Sequence, residues 1–217
     1  IRDSFETLAT YGPDATRWYM ISNANPWDNL KFDVDGIDEV KRKFFGTLYN
    51  TYAFFTLYAN IDRFDRSEPA IPHEQRPEID RWILSELHTL IENVDGHYAN
   101  YEPTKAAREI SEFTQELLSN WYVRLSRRRF WKGAYENDKI SAYQTLFTCM
   151  LTLSKLGAPI APFFMDRLYL DLVTPTKLEL HESVHLSEFP NSNIQLIDKA
   201  LELSLIHISE PTRLSGI

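Results

Sequence analysis

What this sequence lacks narrows it first. It has a single cysteine, Cys149, so no internal disulfide can form, and cysteine usage fits a reducing cytoplasm. No run of 18 apolar residues occurs, so no membrane-spanning helix is expected, and the start shows no secretory leader pattern. Glycine is scarce, seven in 217 residues, and none of the seven forms a GxGxxG or P-loop pattern that would cradle phosphates. Positive charge is in the minority. Its 23 lysines and arginines face 31 acidic residues, a formal net charge of −8, which disfavours indiscriminate coating of nucleic acid.

What is present is apolar periodicity. Val40, Phe44, Leu48, Tyr52 and Phe55 recur at helical spacing across about 37–61, as do Ile79, Trp82, Ile83, Leu87, Leu90, Ile91 and Val94 across about 78–98. A third long helix is predicted from Pro103 to about Phe130 and a fourth over 139–156. Cys149 falls on the apolar stripe of this fourth helix, as a core packer. After Gly157-Ala-Pro159, Pro162 opens a fifth helix to about Val173; two short helices occupy residues 4–22 around a Gly-Pro break, and 193–203 forms a last short one. The expectation is an all-α antiparallel helical bundle.

Against the acidic background, Asn120–Lys132 (NWYVRLSRRRFWK) gathers Arg124, Arg127, Arg128, Arg129 and Lys132 between Trp121, Tyr122, Phe130 and Trp131. Cations hold phosphates and aromatic rings stack on unpaired bases, so this stretch suits a shaped RNA partner. A solvated basic face is the plainer alternative. Extrapolating the stripe Ile110, Phe113, Leu117, Trp121, Leu125 at about 100° per residue places Arg124 and Arg128 on the buried side. There they must meet a ligand or a carboxylate such as Asp80 or Glu86, because an unpaired buried charge is too costly. On this reading Arg128→Ala destabilises the fold.

His181-Glu182-Ser183-Val184-His185 matches the H-E-x-x-H zinc pattern. That chemistry needs both histidines one helical turn apart, whereas TPTKLELHESVHLSEFP alternates between prolines like an extended chain. Extended, the two histidines stand about 13 Å apart, too far for one metal. No metal site is expected, and no catalytic machinery is visible.

The ordered pieces resemble a known family. YGPDATRWYMIS resembles the segment that follows the ATP-site signature loop of class I aminoacyl-tRNA synthetases. DRWILSELHTLI, LSNWYVRLSRRRFW, AYQTLFTCMLTLSKLGAPIAPFFMDRLY and ESVHLSEFP are similar, in that order, to the helical anticodon-binding domain of the isoleucine enzymes, over about residues 1–203. WYVRLSRRRFW and SVHL before a proline separate these from the valine, leucine and methionine relatives. Neither the HIGH-type nor the KMSKS-type nucleotide motif is present, so the resemblance implies a piece without the catalytic fold, inactive alone, whose parent uses ATP and magnesium.

The resemblance implies a connector over 1–36, an anticodon-binding domain over 37–203, and a partner in the anticodon stem-loop of isoleucine tRNA, with no DNA or membrane partner and a monomeric state. SLIHISEPTRLSGI (204–217) departs from the family pattern and is expected to be a non-native or disordered tail. Trp131 would stack on an anticodon base, Tyr49 and Asn50 would read base edges, and Arg124, Arg127, Arg128, Arg129, Lys132 and Lys43 would hold phosphates. A helical protein-interaction module with a basic docking patch, or the equivalent domain of a valine or methionine enzyme, is the alternative.

Overall fold

A computed structural model describes residues 4–29, 32–132, 134–176 and 181–209, and no strand occurs among them. The chain opens with α1 (Ser4–Tyr11) and α2 (Pro13–Asn23). Gly12 joins them at φ 87°, a left-handed conformation that glycine adopts without steric cost, and Pro13 starts the new helix. The long predicted helices then appear in order. The first is continuous from α3 (Val34–Val40), through a π-helical stretch at Lys41–Phe45, into α4 (Gly46–Asp62). Asp33 caps its start by accepting from the Asp35 N–H. The second is α5 (Glu78–Ala99). The third runs from α6 (Pro103–Glu112) through π-helical Phe113–Val123 into α7 (Arg124–Lys132). Next come α8 (Asn137–Gly157) and α9 (Pro162–Thr176), then short 3-10 turns and α10 (Lys199–Ser209).

Contacts along the helices fix their directions. Phe55 meets Phe147 while Asp62 meets Lys139, so α4 runs against α8. Asp80 meets Ser141 and Tyr98 meets Leu156, so α5 runs with α8. Tyr122 meets Ala142 and Arg129 meets Asp138, so the helix that ends in α7 runs against α8. The four long helices form an up-down-up-down bundle, and the all-α expectation holds.

Aromatic rings fill much of the core. Trp18 of α2, fully buried, stacks on Phe44 at 4.2 Å between centroids and donates its indole N–H to Ser111 Oγ at 3.0 Å. Thus α2 enters the same core as the bundle. Phe54 meets Phe130 edge-on at 5.1 Å, and Phe64 stacks on Tyr143 at 4.9 Å. Cys149 is fully buried, as its place on the stripe predicts, and burial pushes its thiol pKa up. At the α8–α9 corner a Cβ on Gly157 would stand 2.6 Å from Met165 Cε, so glycine permits the close approach.

Side chains from α2 brace that corner. Asp14 Oδ2 accepts from the Phe164 N–H at 2.5 Å and caps α9 from outside, while Arg17 Nε donates to Ile160 O at 2.9 Å. Asp14 is buried, and burial raises its pKa despite the backbone hydrogen bonds that oppose the shift. The C-terminal segment is pinned similarly: Asp166 Oδ1 accepts from Ser183 Oγ and the Val184 N–H, and Glu202 of α10 accepts from Ser85 and Thr89 of α5. α10 extends into the expected tail as far as Ser209, and 210–217 lies outside the described residues.

Candidate nucleic-acid interface

The basic cluster sits on α7, and the π-helical segment before it decides which way each arginine points. Hydrogen bonding from i to i+5 admits an extra residue into a turn and delays the buried stripe. After Phe113 the buried positions are Thr114, Leu118, Tyr122, Val123, Ser126 and Phe130. Leu117 and Trp121 are only half-buried, and Leu125 is exposed. The stripe has slipped by one residue from the straight-helix extrapolation, which corrects two expectations. Arg124 and Arg128 are exposed, and Arg129 is the arginine that turns inward.

Arg129 meets Asp80, whose side chain is wholly buried. The pair is bidentate, with Nη1 donating to Oδ1 at 2.6 Å and Nη2 to Oδ2 at 2.8 Å. Tyr122 Oη donates to Oδ1 at 2.8 Å and Ser141 Oγ to Oδ2 at 2.6 Å, so four donors from two helices converge on one carboxylate of a third. Asp138, in the first turn of α8, accepts from Arg129 Nε through Oδ2 at 3.1 Å and from Nη2 through its carbonyl at 2.8 Å. Burial alone would lower the Arg129 pKa, but the hydrogen bonds and charge of Asp80 outweigh it and raise the value. Burial and the same carboxylate raise the Tyr122 pKa well above that of a free tyrosine. Asp80, expected to pair Arg124 or Arg128, pairs Arg129 instead, and Arg129 is too fully engaged to serve as a phosphate ligand. A neighbouring cluster closes the same end of the bundle: Asp62 Oδ2 accepts from Lys139 Nζ at 2.7 Å and Tyr143 Oη at 2.6 Å.

What remains on the outer side of α7 is a row of exposed cations, without ion-pair partners among the described residues, beside an aromatic ring. Arg124, Arg127, Arg128 and Lys132 are exposed, and Trp131 is 56% exposed. Arg124, Arg127 or Arg128, and Trp131 follow one another at spacings of three and four, so one helix face presents guanidiniums leading to an indole. The Arg124 Cζ lies 5.6 Å from the Trp121 ring centroid, a cation–π seat on an exposed side chain. Such a face can hold several phosphates and stack one flat, unpaired base.

The other sequence-derived candidates lie elsewhere. Tyr49 is exposed but opens onto an apolar recess of about 400 Å³ lined by Tyr11, Pro13, Phe45, Phe163 and Phe164, on the α2–α9 side. Asn50 is exposed beside it in sequence on α4. Lys43 pairs with Glu39 one turn away and lines a separate groove with Trp18 and Arg108. The structure therefore gathers Arg124, Arg127, Arg128, Lys132 and Trp131, and leaves Lys43 and Tyr49 on other surfaces. His185 lies within a 3-10 turn at Val184–Leu186 and His181 precedes it, not in an extended strand, and both are exposed. Among the described residues no group of three or more His, Cys, Asp or Glu is placed to hold a metal ion, and no helix is long and apolar enough to cross a membrane.

Comparison with known proteins bears on this face. A family described as "Anticodon-binding domain of tRNA ligase" matches residues 80–212, over half of the chain. A protein named isoleucine–tRNA ligase from Bacteroides fragilis is 61% identical over 203 residues, covering 94% of this chain and 18% of that protein. One of the same name from Porphyromonas gingivalis is 62% identical over 203 residues, covering 94% and 17%. The chain thus spans less than a fifth of the length of these relatives. Among solved structures, a ternary LeuRS–tRNA–LeuAMS complex from Agrobacterium radiobacter K84 superposes with a TM-score of 0.63 at 17% identity, over 91% of this chain and 22% of that one. At that identity the likeness is one of fold.

Proposed function

This chain belongs to the anticodon-binding domain family of tRNA ligases, and we propose that its α7 face docks the anticodon stem-loop of isoleucine tRNA for a parent isoleucine–tRNA ligase. The observation that carries this reading is the row of unpaired Arg124, Arg127, Arg128 and Lys132 ending at exposed Trp131, on a chain of net charge −8. Positive groups confined to one face of an acidic body favour a partner that presents phosphates at defined positions, and like-charge repulsion discourages non-specific wrapping.

In this reading Trp131 stacks on an anticodon base, a contact worth about 1–3 kcal/mol. The four cations neutralise phosphates and set the register of the loop. Tyr49 and Asn50 on α4 are second-line base contacts, and Lys43 reaches a phosphate only by leaving Glu39. Residues 37–203 form the RNA-binding bundle of a monomer in the cytoplasm, and 1–36 connect it to a catalytic portion. ATP and magnesium belong to the parent's ligation of isoleucine; the described residues here offer no donor set for a metal, and this chain's part is to bind and position RNA.

The test is a polarisation titration of the chain with isoleucine tRNA, valine tRNA and a generic hairpin at low and moderate salt. Preference for isoleucine tRNA, lost in Trp131→Ala, is the expected result. No binding at low salt would sink the reading in favour of a basic patch that docks an acidic protein.

A further inference from the structure

Trp131 and Lys132 stand in the last turn of α7, where a helix is weakest. The final carbonyls of a helix have no intrahelical donors, so a terminal turn frays unless side chains tie it down. Trp131 and Lys132 are exposed, and so is Arg128 just before them. The side chains of this turn that reach inward are Phe130 and Arg129. Phe130 packs edge-on against Phe54 and Tyr143, and Arg129 is the polar anchor.

Two carboxylates hold that anchor on adjacent edges. Asp80, buried on α5, takes the edge formed by Nη1 and Nη2. Asp138 takes the other: Oδ2 accepts from Nε at 3.1 Å, Oδ1 lies 3.0 Å from Nη2, and its backbone carbonyl accepts from Nη2 at 2.8 Å. A single bidentate carboxylate leaves a guanidinium free to tilt about the axis of the pair, and a second on the next edge fixes its plane. The grip on Nε lies on the stem side of the group, so it passes to the backbone of α7 two residues before Trp131.

Asp138 is itself well founded, although its side chain is 59% exposed. Beside it in the first turns of α8, Lys139 donates to Asp62 at 2.7 Å and Ser141 to Asp80 at 2.6 Å. Tyr135, in the connection before α8, donates to Glu68. Arg129 is therefore held against a fixed element. The charge of Asp138 opposes any phosphate drawn to Arg127, Arg128 and Lys132, whereas its grip on Arg129 serves the same face.

We infer that Asp138 is a positioning residue for RNA binding: through Arg129 it holds the last turn of α7 so that the Trp131 ring is presented to an unpaired base. This rests on the tRNA reading above. The two effects of Asp138 carry opposite signs. Removing it as a charge strengthens the binding of an anion, and removing it as a brace weakens the binding of a stacked base.

The full chain is titrated with isoleucine tRNA over a salt series, as parent, Asp138→Ala, Asp138→Asn, Trp131→Ala, and Asp138→Ala with Trp131→Ala, each well below its melting temperature. Trp131→Ala lowers affinity by about 5- to 150-fold. Asp138→Ala lowers it several-fold and leaves the slope of log K against log salt unchanged, because no phosphate contact is lost. Asp138→Asn, which keeps an oxygen for Arg129 Nε, restores the parent's affinity. In the double variant the two losses fall short of multiplying by about 2-fold or more, because a misplaced ring has less to lose. An Asp138→Ala chain that binds as tightly as the parent, or tighter, overturns the positioning role and leaves the tRNA reading standing. Losses that multiply in full, or a loss that Asp138→Asn does not restore, overturn it equally. Should Asp138→Ala melt too early to titrate, Asp138→Ser, too short to reach Nε, takes its place. A parent that binds no tRNA at low salt overturns the tRNA reading and this role with it.

Discussion

Two sides of α7 use the same residue type for opposite ends. On the inner side, Arg129 is fixed by Asp80 and Asp138 and shares its carboxylate with Tyr122 and Ser141. On the outer side, Arg124, Arg127 and Arg128 stand in solvent beside Trp131. The difference is one helical position, and the π-helical turns before α7 set it. A buried guanidinium contributes by being unable to move, whereas an exposed one contributes only when a partner arrives. Charge count alone says nothing about which task an arginine has.

The sharpest way to break this contrast is to remove the inner carboxylate. Asp80→Ala strips Arg129 of its buried carboxylate, leaving only the exposed Asp138, orphans the Tyr122 and Ser141 hydroxyls, and should destabilise the fold by about 3–5 kcal/mol, read as a lower urea midpoint. Trp131→Ala should do the reverse, with stability unchanged and tRNA affinity weaker by about 1–3 kcal/mol in a polarisation titration. Arg127→Ala and Arg128→Ala sharpen the comparison further. Each should shift stability by less than about 0.5 kcal/mol and lower the tRNA salt slope by about 1. A melting loss in Arg128→Ala comparable to that of Asp80→Ala would return Arg128 to the core.

The smallest expected effect concerns a carboxylate on the same helix that lacks Asp80's donors. Burial, and then the charge of Glu202, push the Glu86 pKa up from 4.5 to about 7, with Lys199 opposing. Between those values the folded chain holds a proton that the unfolded chain has released, so stability from this group is full at the acid end and lost as pH rises through about 7. Glu86→Gln should therefore match the parent in urea at about pH 5 and exceed it at about pH 8. Equal midpoints at both would show that Glu86 titrates alike folded and unfolded.

Much of the fold was legible because long helices announce themselves by period. Trp82, Ile83, Leu87, Leu90, Ile91 and Val94 are all buried, as their spacing requires. The orientation of the basic cluster was not legible, because a rule of 100° per residue was carried through Phe113–Val123, where the helix does not obey it. A signal was present: Thr114, Leu118 and Tyr122 form a rival stripe at spacing four that continues through Ser126 to Phe130, next to Arg129 rather than Arg128. Trp131 and Lys132 remained readable as outward because they lie beyond the last core position, Phe130.

The brace that Asp14 and Arg17 supply from α2 has a bearing on how the chain reaches this state. The Asp14–Phe164 bond joins positions 150 residues apart, and Arg17 reaches Ile160 across 143. Closing so long a loop costs entropy that only late contacts repay, so α2 is among the last parts to settle. On a translating ribosome, the early-made Asp14 and Arg17 have no finished corner to brace until the α8–α9 turn has emerged. Substitutions in α2 should thus speed unfolding while leaving the refolding rate nearly unchanged.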